Sequence, residues 1–235
     1  MTSGLRAAGI RLVLLDIEGT TTPIAFVHEV LFPFARARIP AWFAARSASD
    51  PEVREIADGV REEAGSALEP VVPQLLAFMD EDRKSRPLKT LQGKIWQSGY
   101  ERGELKGEVY ADVPDALSRW SREGIEIGIF SSGSVLAQKL LFGHSTAGDL
   151  TPFIRWHFDT AVGPKHQSSS YARIADATGY HPPEILFVSD VDKELDAARD
   201  AGMQTRWCLR PPSAVPPATP GSSHEVIRAL DEIPV

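Results

Sequence analysis

Asp16 and Glu18 stand two residues apart where an apolar run, RLVLL, stops, and they are followed by Gly19 and by Thr20, Thr21 and Thr22. A carboxylate in such a place can attack phosphorus and form an acyl phosphate, which divides hydrolysis into two easier steps. The leaving oxygen then needs a proton, and the water that breaks the intermediate must lose one. A second carboxylate two positions on can do both, provided the backbone turns so that both acids face one pocket. Gly19 allows such a turn. Taken alone, the pair suits an ordinary polar turn nearly as well.

Three further segments carry chemistry of a matching kind. GIFSSGS closes a second apolar run at Ser131 and Ser132. Their hydroxyls, with the N–H groups around Gly133 ahead of a helix starting near Ser134, can cradle a phosphate, or can simply begin a helix. Lys165 lies in VGPKHQSSSY. A loop lysine is ordinarily a solvated surface charge, but here it could neutralise phosphate as a point charge. ILFVSDVDKELDAA brings another run to an acid, Asp190, with Asp192 and Glu194 close behind. Hard cations such as Mg²⁺ take one or two carboxylates together with phosphate oxygens and water, a role open to Asp16 and Asp190. The helix dipole accounts in part for Asp192 and Glu194. The order acid pair, serine, lysine, acid, each at a strand end or just after one, carries more than any single piece.

These residues need elements to position them. RLVLLD, GIEIGIFS, IRWHFDT, EILFVSD and QTRWCL read as strands, and SVLAQKLLFG, SSYARIADATG and KELDAARDAG between the later ones read as helices. The alternation predicts a Rossmann-like α/β core, a mostly parallel sheet with helices on both faces and sites at the carboxyl ends of strands. Residues 1–25 and 108–235 form that core. Residues 26–107 read as an inserted helical cap over the sheet's active edge, including DPEVREIADGVREEAG with an Asp cap and Pro at its first turn. Near the C-terminus, RPPSAVPPATPGSSH reads as an extended connection, and EVIRALDEI as a short amphipathic segment that docks on the core.

Composition narrows the function. A chain of 235 residues, 43% hydrophobic and 24% charged, is that of a globular protein with a sizeable core. The net charge of −7 speaks against a nucleic-acid surface. No apolar run approaches the roughly 20 residues of a membrane-spanning helix. One cysteine, Cys208, excludes an internal disulfide and a multi-cysteine zinc site, so a reduced, cytoplasmic setting is expected. The expected partner is a small phosphorylated molecule bound by a monomer, with no nucleic acid and no membrane.

DIEGT, the strand ending in SS, the loop lysine and the SD-x-x-x-E segment resemble the four motifs of haloacid-dehalogenase-superfamily phosphotransferases. Within that superfamily, LLDIEGTTTPIAFVHEVLFPFAR, LQGKIWQSGY, FSSGSVLAQKLLFGHS, HFDT and SYARIADATG are similar to the enolase-phosphatases of methionine salvage, from about residue 12 to residue 210. The resemblance implies a haloacid-dehalogenase-like core and a Mg²⁺-dependent reaction on 5-methylthio-2,3-dioxopentyl 1-phosphate, enolisation followed by dephosphorylation to an acireductone. It implies Asp16 as nucleophile and metal ligand, and Glu18 as acid/base and, through its carbonyl, part of the metal shell. It further implies Ser131 and Ser132 on substrate, Lys165 on phosphate, and Asp190 completing the metal site. Lys94, Tyr100 and Glu101 are candidates for the enolisation step. The competing reading is a phosphatase of the same superfamily that acts on another small ester without enolisation.

Overall fold

Leu12–Leu15 (β1) is apolar at every position and every one of its side chains is fully buried. A strand covered on both faces has no solvent side on which to alternate, which is why the run is continuous. In the computed structural model, which describes residues 4–65, 70–211 and 224–235, β1 is the centre of a six-stranded, wholly parallel sheet. The strands are β1, β2 (Glu126–Phe130), β3 (Trp156–Phe158), β4 (Ile185–Ser189), β5 (Gln204–Cys208) and β6 (Glu225–Ile227), in the order β3-β2-β1-β4-β5-β6. β1 pairs with β2 on one side, Leu12 against Glu126, and with β4 on the other, Leu12 against Ile185. The connections run one way from β1 and then the other, so the crevice at its carboxyl end, beside β4, is where an open α/β sheet binds ligands.

The chain divides into two compact units, one of residues Met1–Ile24 with Gly107–Val235, the other Ala25–Lys106. The second unit is helical. A π-helical turn over Phe26–Leu31 runs into α1 (Phe32–Ala44), and α2 (Pro51–Ala64), α3 (Val71–Asp80) and α4 (Arg86–Glu101) follow. α2 begins as its sequence implies. Asp50 accepts from the Glu52 N–H at 2.9 Å, Pro51 opens the first turn, and Gly65 ends the helix at φ +67°. Val53, Ile56, Ala57 and Val60 form its buried stripe, the i, i+3, i+4, i+7 spacing of one helix face. Trp96 packs rather than reacts: it stacks on Phe32 and donates its indole N–H to the Leu31 carbonyl at 2.8 Å.

In the sheet unit, α5 (Val113–Arg122) precedes β2, α6 (Val135–Gly143) follows it, α7 (Ser168–Thr178) follows β3, and α8 (Asp192–Asp200) follows β4. α5 buries Val113, Ala116, Leu117 and Trp120. The Trp120 indole and the Arg119 guanidinium both reach the Ile233 carbonyl, which fastens the C-terminal turn to this helix. EVIRALDEI docks as expected, but through an extended strand, β6, beside β5 and a single 3-10 turn. Most of RPPSAVPPATPGSSH lies outside the described residues. No helix among the described residues is long and apolar enough to cross a membrane.

Candidate active site

Asp16 is the first residue past β1 and is 5% exposed. Its own carboxylate folds back to accept the Ile17 N–H at Oδ1, 2.7 Å away. The same oxygen is paired with Lys165 Nζ at 2.7 Å, and Oδ2 accepts from the Ser189 hydroxyl at 3.0 Å. Two partners on one oxygen and one on the other fix the carboxylate's rotation. Two of the three come from other strands' carboxyl ends, Ser189 as the last residue of β4 and Lys165 from the loop between β3 and α7.

Lys165 is not a solvated loop charge. It is 7% exposed and is held between Asp16 and Glu194, the latter at 2.6 Å. Burial alone would push its pKa down; Asp16 and Glu194 outweigh burial and hold it above the usual lysine value. The Tyr171 hydroxyl donates to the Lys165 carbonyl at 2.8 Å, and its ring is wedged edge-on against Phe130 and Phe187. The core thus sets the lysine's backbone while the two acids set its ammonium group.

Glu18 stands partly exposed in the turn after Asp16. The turn is tight: the N–H groups of Thr20, Thr21 and Thr22 all reach the Ile17 carbonyl, and Gly19 N–H reaches the Thr22 carbonyl. The Thr21 hydroxyl donates back to the carbonyls of Asp16 and Ile17, at 3.1 and 3.3 Å. Gly19 has φ +70°, and a Cβ there would run into the carboxylate of Asp190. Glycine is therefore required twice, for the backbone conformation and for the approach of Asp190.

Asp190 follows β4 as Asp16 follows the neighbouring β1. Burial, then the charge of Asp16, raises its pKa to about 7, against the pull of Lys165. Glu194 is raised for the same reasons. Asp16, Asp190 and Glu194 thus confront one ammonium group, an excess of negative charge that a hard divalent cation would relieve. Among the described residues no group of three His, Cys, Asp or Glu side chains is arranged to hold a metal unaided. Mg²⁺ does not require one, because it keeps water and phosphate oxygens beside one or two carboxylates. Asp16 and Asp190 fit that demand.

Ser131 follows β2, on the other side of β1, and its buried hydroxyl accepts the Gly133 N–H at 3.1 Å. Ser132 beside it is exposed, and Ser134 caps α6 by accepting from Ala137 at 3.2 Å. The loop is held from below by Gln138, whose amide donates to the carbonyls of Gly133 and Phe158 and whose oxygen meets His157 Nδ1 at 3.1 Å. With that oxygen as acceptor, the neutral Nδ1–H tautomer of His157 is the one assigned. Burial, with Lys139 adding to it, pushes His157 down to about 4.

The SD-x-x-x-E segment takes in both Ser189 and Glu194, but sequence reasoning assigns Ser189 no role of its own and accounts for Glu194 only in part, through the helix dipole. The available signals were the acid one helical turn beyond Asp190 and a lone hydroxyl closing an apolar strand. In the helical unit Lys94 pairs with Glu52 at 2.8 Å, Glu101 accepts from Gln97 at 2.8 Å, and Tyr100 is buried.

Residues 10–202 match the family model of haloacid dehalogenase-like hydrolases. The chain is similar to two proteins named Enolase-phosphatase E1. That of Synechococcus elongatus is 51% identical over 217 residues, 87% of this chain and 91% of the relative. That of Parvibaculum lavamentivorans is 54% identical over 198 residues, 83% and 84%. Among solved structures, the UTR4 protein of Saccharomyces cerevisiae is similar with a TM-score of 0.79 and 36% identity, covering 94% of this chain and 98% of that one.

Proposed function

Because the chain belongs to the haloacid dehalogenase-like hydrolases and, within them, to the enolase-phosphatases, we propose that it converts 5-methylthio-2,3-dioxopentyl 1-phosphate to the acireductone and phosphate, with Mg²⁺ as its metal. The observation that carries the chemistry is Asp16, oriented by Ser189 and Ile17 and paired with buried Lys165 at a strand's carboxyl end.

The first change is enolisation: a proton leaves the carbon bearing the phosphate oxygen, and a carbonyl oxygen of the dicarbonyl gains one. An Asp16 oxygen then attacks phosphorus, and the bond from phosphorus to the ester oxygen breaks. That oxygen takes a proton from the carboxyl group of Glu18. Water next loses a proton to the Glu18 carboxylate and attacks the aspartyl phosphate, releasing inorganic phosphate and restoring Asp16. Lys165 balances the phosphate's charge, and its bond to Glu194 holds it in place. The hydroxyls of Ser131 and Ser132 hold the substrate. Mg²⁺, held by Asp16, Asp190 and the Glu18 carbonyl, would neutralise phosphate charge and act as a Lewis acid.

The helical unit serves as a cap, a role supported by its insertion directly after the strand and turn that carry Asp16 and Glu18. A monomer working in the cytoplasm, with neither nucleic acid nor membrane as partner, completes the proposal; the net charge of −7 and the single cysteine support it. Asp16→Asn tests the covalent step. It should abolish turnover and the acid-stable trapping of phosphate on protein, while the thermal unfolding midpoint stays near that of the native chain. A variant that kept near-normal phosphate release would remove Asp16 as nucleophile.

A further inference from the structure

Arg210, the second residue past β5, is a buried cation aimed at the turn that carries Glu18. It is 5% exposed, and its Nε and Nη2 both donate to the Thr20 carbonyl, at 2.9 and 2.7 Å. Its Nη1 donates to both carboxylate oxygens of Asp112, 2.8 Å to each. The guanidinium lies over the Tyr110 ring at 4.3 Å, and the Tyr110 N–H donates to the Thr21 carbonyl at 3.0 Å. Asp112 is fixed in turn by the Leu230 N–H at 2.6 Å. Two consecutive carbonyls of the turn, those of Thr20 and Thr21, are therefore gripped from outside it.

The turn's interior bonds close its loop, but they leave its orientation on the sheet to these outer contacts. That orientation decides where Glu18 points and where Gly19 meets Asp190. An ion pair with one buried partner and one partly exposed is weak ground for stability, because desolvation offsets much of its attraction. Here the guanidinium spends two donors on one carbonyl and one on a carboxylate, a fixed fork that an ammonium group cannot reproduce.

We propose that Arg210, braced by Asp112, is a positioning residue: it clamps the turn from Ile17 to Thr22 so that the Glu18 carboxyl meets the leaving oxygen. The inference rests on the phosphatase reading of Asp16 and Glu18. It predicts a loss in kcat/KM confined to substrates whose leaving group needs a proton, since the later use of Glu18 as base falls after the steps that kcat/KM reports.

The test compares an alkyl phosphate with 4-nitrophenyl phosphate, whose phenolate departs without protonation, using the full chain with Mg²⁺. kcat/KM reports the steps up to leaving-group departure. Arg210→Gln and Arg210→Lys should lower kcat/KM on the alkyl ester by about 10- to 100-fold, the scale of an ångström of misplacement. KM should move by less than about threefold, and the aryl ester should lose far less. Asp112→Asn, nearly isosteric and milder on folding, should give the same pattern more weakly. In a Glu18→Gln background, Arg210→Gln should add little, since both act on one proton transfer. Equal losses on both esters, a fully additive double variant, or an unchanged alkyl rate in all three variants would overturn the clamp. Failure of the underlying reading looks different: the native chain would hydrolyse neither ester, or Glu18→Gln alone would leave the alkyl rate intact.

Discussion

A carboxylate two residues from another is common; what distinguishes Asp16 is the company that folding brings. Ser189 and Lys165 arrive from sequence positions far away and fix its two oxygens. Glu194, one helical turn past Asp190, anchors Lys165 from the other side. In the proposed mechanism Glu18 serves both halves of the phosphoryl transfer, as acid and then as base. Glu18→Gln should therefore slow hydrolysis of an alkyl phosphate by about 10²- to 10⁴-fold, the usual span of general acid–base catalysis, with steady-state rates as the measurement. An unaffected rate would take Glu18 out of that role.

At the scale of elements, the site depends on the segments that follow four neighbouring strands, β3, β2, β1 and β4. The turn after β1 can be probed at Gly19. Gly9 and Gly19 both have positive φ, +74° and +70°, but only Gly19 has a neighbour where a Cβ would sit. Gly9→Ala should destabilise by about 1–2 kcal/mol, the cost of a left-handed backbone alone. Gly19→Ala should lose more than that in chemical denaturation and should also lose turnover, because Asp190 must move. The turn after β2 is held by Gln138 and His157. His157 is pushed down to about 4 by burial and Lys139, below the roughly 6.5 of an unfolded histidine. Its contribution to stability is thus full above pH 6.5 and is lost as the pH falls toward 4, because the unfolded chain takes up the proton first. Urea midpoints between pH 7 and pH 4.5 should fall less steeply in His157→Gln than in the native chain; equal slopes would contradict this. Five of the six strands are legible as apolar runs. β6 is not, because Glu225 and Val226 are exposed and three residues at the sheet's edge leave no pattern. α5 could have been read from Pro at its first turn and its buried spacing, but no motif drew attention to it.

Across the whole molecule, charge and connectivity explain how an acidic protein handles a phosphate. The net charge is −7, yet one buried ammonium group and the two carboxylates proposed to hold a divalent cation are gathered at the sheet's switch point, where β1 meets β4. The chain passes from the sheet unit to the helical unit after Ile24 and is back in the sheet unit at Gly107, so the helical unit interrupts neither β-pairing nor the order of the strand ends. The candidates Asp16, Ser131 and Asp190 are legible in the sequence because each directly follows a buried strand, whereas Lys165 stands in the loop beyond the half-exposed β3 and is singled out only by its place in the order of the others. The SD-x-x-x-E segment includes Ser189 and Glu194, but their contacts, like those of Arg210, depend on side-chain direction and on partners brought close only by the fold. The most direct test of the account is to supply 5-methylthio-2,3-dioxopentyl 1-phosphate with Mg²⁺, and again after chelation, while following acireductone absorbance and phosphate release together. The account predicts both products in equal amounts, preceded by an enol, and neither after chelation. Phosphate released with no enol and no acireductone, or turnover undiminished without metal, would contradict it.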